Sequence, residues 1–367
     1  MPENIKLTRE QTISLVFIST FGNMVYSHTW IDDDTDRAAW VAAAAGILLL
    51  IPFAVWIMQL GKKYPGESVF DIFETNLGKI TGYLVRTVYI GINIAVAVAI
   101  LNMFTQLLKT FFNLYTPLWI IMLFLVMVSV IIISGGFVTF SRLVELLTGL
   151  GMINYFISFS FAFPQYIHPE YIFPVFDTSL AGFLQGTVFI TGAAAECLLL
   201  LMIIVSYIPD PGKHYWWVIK GLIICAVVFP SAILIIMAMI SPELAKRIAF
   251  GGVNAAKIVQ VGEFVRGLEV FMFSTYQFIT IGKISLCLYC AWTSTQKMFN
   301  NWKPGLQLIL LAAIILAASL WLSSYIRAYQ LAVLLGRYVL LPFTTAILVL
   351  TSLGIWLARK NPGGAAK

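Results

Sequence analysis

Ten long apolar runs, at roughly 11–31, 37–60, 83–108, 117–134, 143–163, 183–208, 217–240, 264–290, 304–325 and 337–357, dominate this chain. At a rise of about 1.5 Å per residue, each run is long enough, or nearly so, for the roughly 30 Å hydrocarbon core of a bilayer. A spanning segment must satisfy its own backbone polar groups, which leaves helices or a closed barrel, and continuous rather than alternating apolarity selects helices. With 60% hydrophobic and only 11% charged residues among 367, the chain also lacks the polar surface of a soluble domain, where about 25% is charged. A soluble enzyme, a disordered chain and a nucleic-acid-binding domain are excluded. The expectation is an all-α integral membrane protein of ten transmembrane helices in one membrane domain, 1–367, surrounded by lipid.

The net charge of +6 is scattered singly between the apolar runs and forms no basic stripe. Placing the N-terminus inside gives thirteen Lys and Arg in the inner loops against seven in the outer ones, so both termini are expected in the cytoplasm. The first run has no small-residue cleavage site after it and reads as a retained span. Cys197, Cys225, Cys287 and Cys290 all lie inside apolar runs, which implies packing rather than a disulfide framework. Asp32, Asp33, Asp34 and Asp36 form an acidic outer tip without the glycine and closing glutamate of a calcium loop. No metal spacing and no Ser/His/Asp set is present, so neither a cofactor nor catalysis is expected.

Ten spans divide into five and five, and because five is odd the second set enters the membrane from the opposite face. This predicts an inverted repeat, 11–163 and 183–357. The first helix of each half is interrupted by small and polar residues near its middle: Ser19, Thr20, Phe21, Gly22 and Asn23 in one, Thr191, Gly192, Ala193, Ala194, Ala195 and Glu196 in the other. Glycine weakens a helix by about 1 kcal/mol relative to alanine, and Ser, Thr and Asn compete for backbone partners. Unwound backbone at mid-membrane depth is tolerated where it lines a cavity or meets a ligand, and opposed half-helix ends suit a zwitterion. Close helix packing by small residues is the alternative.

Glu196, central in its span, must be protonated, paired or facing a polar cavity. Glu263, Arg266 and Glu269 follow at i, i+3, i+6 on one helical face, either a neutralised outer mouth or a gate, and with Glu196 they are the candidates for gating or proton coupling. Ser274 and Gln277 lower on that helix, with Tyr89 and Asn93 one turn apart on the third span, are candidate lining residues. Thr20, Phe21, Gly22, Asn23 and Met24 on helix 1 and Gly192, Ala193 and Ala194 on helix 6 complete the expected substrate site. Arg86 and Lys283 are read as helix-end residues that snorkel.

Several segments, in order, resemble the spore germination permease family, the polytopic B subunit of nutrient germinant receptors within the amino acid–polyamine–organocation transporter superfamily. They are the loop from Gly61 to Asp71 with Leu77 to Gly82, Gly135 to Phe137 with Ser141 to Leu143, Phe173 to Val175, Gly262 to Glu269, and Leu341 to Phe343 with Arg359 and Lys360. The resemblance implies discontinuous helices 1 and 6 holding a small nutrient, an amino acid by expectation. It also implies a spore inner membrane location, and an A-type membrane subunit and a C-type lipoprotein as partners. A proton-coupled amino acid transporter, with Glu196 titrating, is the competing expectation.

Overall fold

The computed structural model describes residues 6–23, 35–112, 115–160, 166–259 and 269–360. Among these it is helical throughout, with no strand. We label the crossing helices α1 (Arg9–Phe21), α2 (Asp36–Lys63), α3 (Lys79–Phe111), α4 (Leu118–Ser134), α5 (Phe137–Ser160), α6 (Leu180–Tyr207), α7 (Pro211–Ile240), α8 (Glu269–Met298), α9 (Pro304–Leu322) and α10 (Tyr325–Ala358). Eight of them are long and apolar enough to cross a membrane. The other two are the 17-residue α4 and the 13-residue α1.

Helix ends differ from the expected runs where a helix outlasts the hydrocarbon. α8 continues eight residues past Cys290 through Thr293 and Lys297. α10 starts at Tyr325, because Arg327 and Gln330 interrupt the apolar run without interrupting the helix. Hydropathy marks depth in the bilayer, whereas helix length is set by caps and loops. Large apolar side chains such as Trp119, Phe124, Ile131, Phe156, Val188, Ile314 and Trp356 remain exposed on the helix surfaces. Patches of this extent are not tolerated in water and form the lipid-facing coat here.

Inside this coat, α8 packs along α3 and α5, α2 lies between α6 and α7, and α1 is held by α5, α7 and the second half of α6. The loop after α2 is also ordered. Val69–Leu77 forms a short helix started by a capping box, in which Ser68 Oγ accepts from the Asp71 N–H at 3.2 Å and Asp71 Oδ2 accepts from the Ser68 N–H at 3.1 Å. Asp71 Oδ1 then receives Arg86 of α3 at 2.6 Å and Lys297 of α8 at 3.4 Å. Burial pushes the Asp71 carboxyl up, but the Ser68 hydroxyl, Arg86 and Lys297 together hold it below the ordinary aspartate range. Arg86 is 2% exposed, with Glu74 Oε2 at 3.5 Å as a second partner. It therefore does not snorkel: a carboxylate reaches it within the protein. At the other membrane face, Asp36 of the acidic tip pairs with Lys246 at 3.0 Å; Asp32, Asp33 and Asp34 lie outside the described residues.

Candidate functional site

Helix α1 starts at a capping box between Thr8 and Gln11 and ends at Phe21, with Gly22 as its cap. The two hydroxyls before the end turn back onto their own helix, Ser19 Oγ and Thr20 Oγ1 both donating to the Val16 carbonyl (2.7 and 3.4 Å). This is the local competition that disfavours continued winding. Helix α6 is broken at one residue. Its first half ends at Ala194, Ala195 (φ −64°, ψ −8°) caps it, and the second half begins at Glu196. The last carbonyls of a helix lack partners in their own helix, and here one of them finds a partner just past the end of α1. Asn23 Nδ2 donates to the Ala193 carbonyl at 3.2 Å, joining the two interruptions directly.

The same asparagine accepts from Lys283 of α8 through Oδ1, and the Lys283 ammonium closes an ion pair with the Glu196 carboxylate. Lys283 is 1% exposed and Glu196 10%. Glu196 is the first residue of its half-helix, where the positive helix end favours an anion. Lys283 lies fourteen residues from the start of α8 and fifteen from its end, about 21 Å of helix from either. The expectation that it snorkels is thus corrected. The apolar run to Cys290 placed it near an end, but the helix goes on to Met298, and the lysine finds its counter-ion at mid-span. Its aliphatic stem lies across Gly22, where an added Cβ would come within 2.1 Å of Lys283 Cδ.

Beside the pair is a cavity of ≈ 10 Å³, about the room one water needs. Ser19, Asn93, Val96, Leu199, Leu286, Cys287 and Cys290 line it together with the pair. All four cysteines are buried and reduced. Tyr89 Oη donates to the Leu199 carbonyl at 2.9 Å, fastening α3 to the second half of α6, and Asn93 Nδ2 donates to the Tyr89 carbonyl at 2.9 Å.

Of the expected site residues, the structure brings Gly22, Asn23, Asn93, Ala193 and Glu196 together, with Tyr89 adjoining. Thr20 is buried within α1. Phe21 stacks on Phe17 and meets Tyr155 and Phe229 edge-on. Gly192 faces α10, its added Cβ falling 2.0 Å from the Gly336 carbonyl oxygen, and Ala194 is fully buried. Gln277 and Ser274, only partly buried, lie six and nine residues before Lys283, about 9 and 14 Å along the helix. Their neighbours Thr275 and Tyr276 are the buried ones. Glu269 is at the head of α8, apart from the pair. Met24, Glu263 and Arg266 lie outside the described residues. The residue missed was Lys283, and the signal was present: a lysine amid Ile281, Gly282, Ile284 and Leu286, in a chain whose Glu196 on another span already needed a partner.

A family model described as spore germination protein matches residues 6–325. The chain belongs to the spore germination permease family. Spore germination protein KB of Bacillus subtilis (strain 168) is 23% identical over 279 residues, 73% of each chain. Spore germination protein YndE of the same strain is 21% identical over 234 residues, 64% of this chain and 63% of that protein. Among solved structures, a substrate-bound, outward-open Na+-coupled sialic acid symporter matches with a TM-score of 0.66 at 11% identity. The match covers 97% of this chain and 80% of the symporter. The nucleobase–cation symport-1 family transporter Mhp1, closed on bromovinylhydantoin, also gives 0.66 at 11% identity, covering 98% and 96%. These likenesses establish the fold, a ten-helix, five-plus-five inverted repeat with helices 1 and 6 discontinuous.

Proposed function

We propose that this chain is the membrane subunit of a spore nutrient receptor that binds a small nutrient, an amino acid, where α1 and α6 are interrupted, and that it signals by a shift between two arrangements of its helices. The observation that carries this reading is the Asn23 bridge from one interruption to the other, with the Glu196–Lys283 pair closed beside it at mid-span. Ligand pockets usually occupy about 300–1,000 Å³, and the cavity here has ≈ 10 Å³. Binding therefore requires helices to part, and a ligand that stabilises the parted arrangement shifts the population toward it. Moving that balance from 1:99 to 99:1 takes about 5.5 kcal/mol of preference between the states. An A-type membrane subunit and a C-type lipoprotein in the spore inner membrane would read the change, with both termini of this chain in the cytoplasm.

A thermal-shift screen of the purified protein against amino acids, sugars and nucleosides tests ligand binding, since stabilisation grows as RT ln(1 + [L]/Kd). Spores carrying Glu196→Ala at unchanged protein level should lose their nutrient response. A normal response would refute the site. The buried ionisable pair also favours a second reading, proton-coupled uptake. Accumulation of labelled amino acid by proteoliposomes, driven by an inward proton gradient and abolished when that gradient is collapsed, would establish that reading in place of sensing alone.

A further inference from the structure

A nutrient entering this site meets two opposite charges already bound to each other. Lys283 and Glu196 are both enclosed, and the lysine ammonium also holds Asn23 Oδ1, one atom group away from the Ala193 carbonyl. A lysine stem against Gly22 and an ammonium between a carboxylate and an amide oxygen reproduce, within the chain, the surroundings that the amino end of a small ligand would need. A carboxylate at the head of a half-helix is the matching anionic end. We infer that Lys283 and Glu196 form an internal zwitterion that the nutrient displaces by exchange, with the ligand ammonium replacing Lys283 on Glu196 and Asn23 while the ligand carboxylate takes Lys283.

Charge makes the exchange selective. A sugar or nucleoside that separates the pair leaves a buried ammonium and a buried carboxylate without counter-ions, and burial of an unpaired charge is strongly disfavoured. A ligand with one charge compensates one of them. Only a molecule with both charges free, at the spacing of an α-amino acid, leaves none uncompensated. The adjoining walls, Val96, Leu199 and Leu286, then receive an uncharged side chain. Lys283 is on this account the specificity-determining residue, and the account rests on the nutrient site proposed above.

Thermal shift in detergent with defined probes tests the exchange. The proteinogenic amino acids, glucose and uridine are screened first, followed by the carboxamide and the N-acetyl form of whichever amino acid stabilises most. The expected result is stabilisation by an amino acid, with each derivative binding at least about tenfold more weakly. Lys283→Met leaves Glu196 without its cation and should gain stabilisation by propylammonium, a probe without effect on the wild type. The charge-free double variant Glu196→Gln/Lys283→Met, which removes both buried charges and so has no unpaired one to unfold it, should respond neither to propylammonium nor to the amino acid. Equal binding of the amino acid and both derivatives, a response to glucose or uridine alone, or no propylammonium effect on Lys283→Met overturns the exchange while leaving a nutrient site standing. No response of the wild type to any probe overturns both.

Discussion

Removing only the lysine of the buried pair should be far more damaging than removing both of its charges. Lys283→Met strips Glu196 of its counter-ion in a site where the lysine is 1% and the glutamate 10% exposed, and breaking a buried pair from one side costs about 3–5 kcal/mol. Replacing both partners by uncharged residues of similar volume is often close to neutral. Unfolding entropy of about 2.1 cal/mol/K per residue gives ~0.8 kcal/mol/K for a chain of this length, so the single variant should melt about 4–6 °C lower. Adding Glu196→Gln should restore most of that loss. The assay is thermal unfolding of wild type, both single variants and the double variant in one detergent at one pH, read as a double-mutant cycle. If Lys283→Met melts with the wild type, or the double variant melts as low as the single, the pair is not the closed mid-span contact described here.

Three further outcomes test its surroundings. Gly22→Ala places a methyl 2.1 Å from Lys283 Cδ, so overpacking should lower stability by about 1–3 kcal/mol, and the loss should shrink when Lys283 is shortened to Ala. Tyr89→Phe removes the bond to the Leu199 carbonyl, which should cost about 0.5–1.5 kcal/mol, the net worth of one buried hydrogen bond, and raise amide exchange in the second half of α6. Asp71→Asn should destabilise at neutral pH, because the carboxyl of Asp71 lies below its ordinary range in the folded state. A depressed folded pKa contributes stability that is complete above the unfolded value and disappears as pH falls through the folded one. The melting difference between wild type and Asp71→Asn should therefore be full at pH 6 and start to shrink only as the pH drops below about 4, the unfolded value.

The architecture was legible because a bilayer imposes a length on every crossing segment, and ten runs of that length leave few alternatives. The helix interruptions were legible for a local reason: Ser19, Thr20 and Gly22 weaken a helix wherever they occur together, and α1 does stop at Phe21. The Lys283–Glu196 contact was not, because hydropathy places a residue along a helix but not around it, and the partner comes from a helix almost ninety positions later. Arg86 was hidden similarly, its carboxylate being carried by the short Val69–Leu77 helix, which is too amphipathic and too short to register as a span. Gly192 was read as weakening its helix, with close helix packing as the alternative, and the structure sets it against a backbone neighbour on α10.

That neighbour governs more than its own contact. The oxygen facing Gly192 belongs to Gly336, inside the five-residue π turn Leu335–Val339 of α10, and a peptide oxygen cannot rotate aside as a side chain can. One methyl at position 192, 2.0 Å from that oxygen, would push the two backbones apart by about an ångström or more. The next residue, Ala193, carries the carbonyl that Asn23 reaches at 3.2 Å, so any such shift acts directly on the bridge. The register of the two half-helices at the centre of the membrane is thus gauged from outside, by an irregular turn in the last helix of the fold.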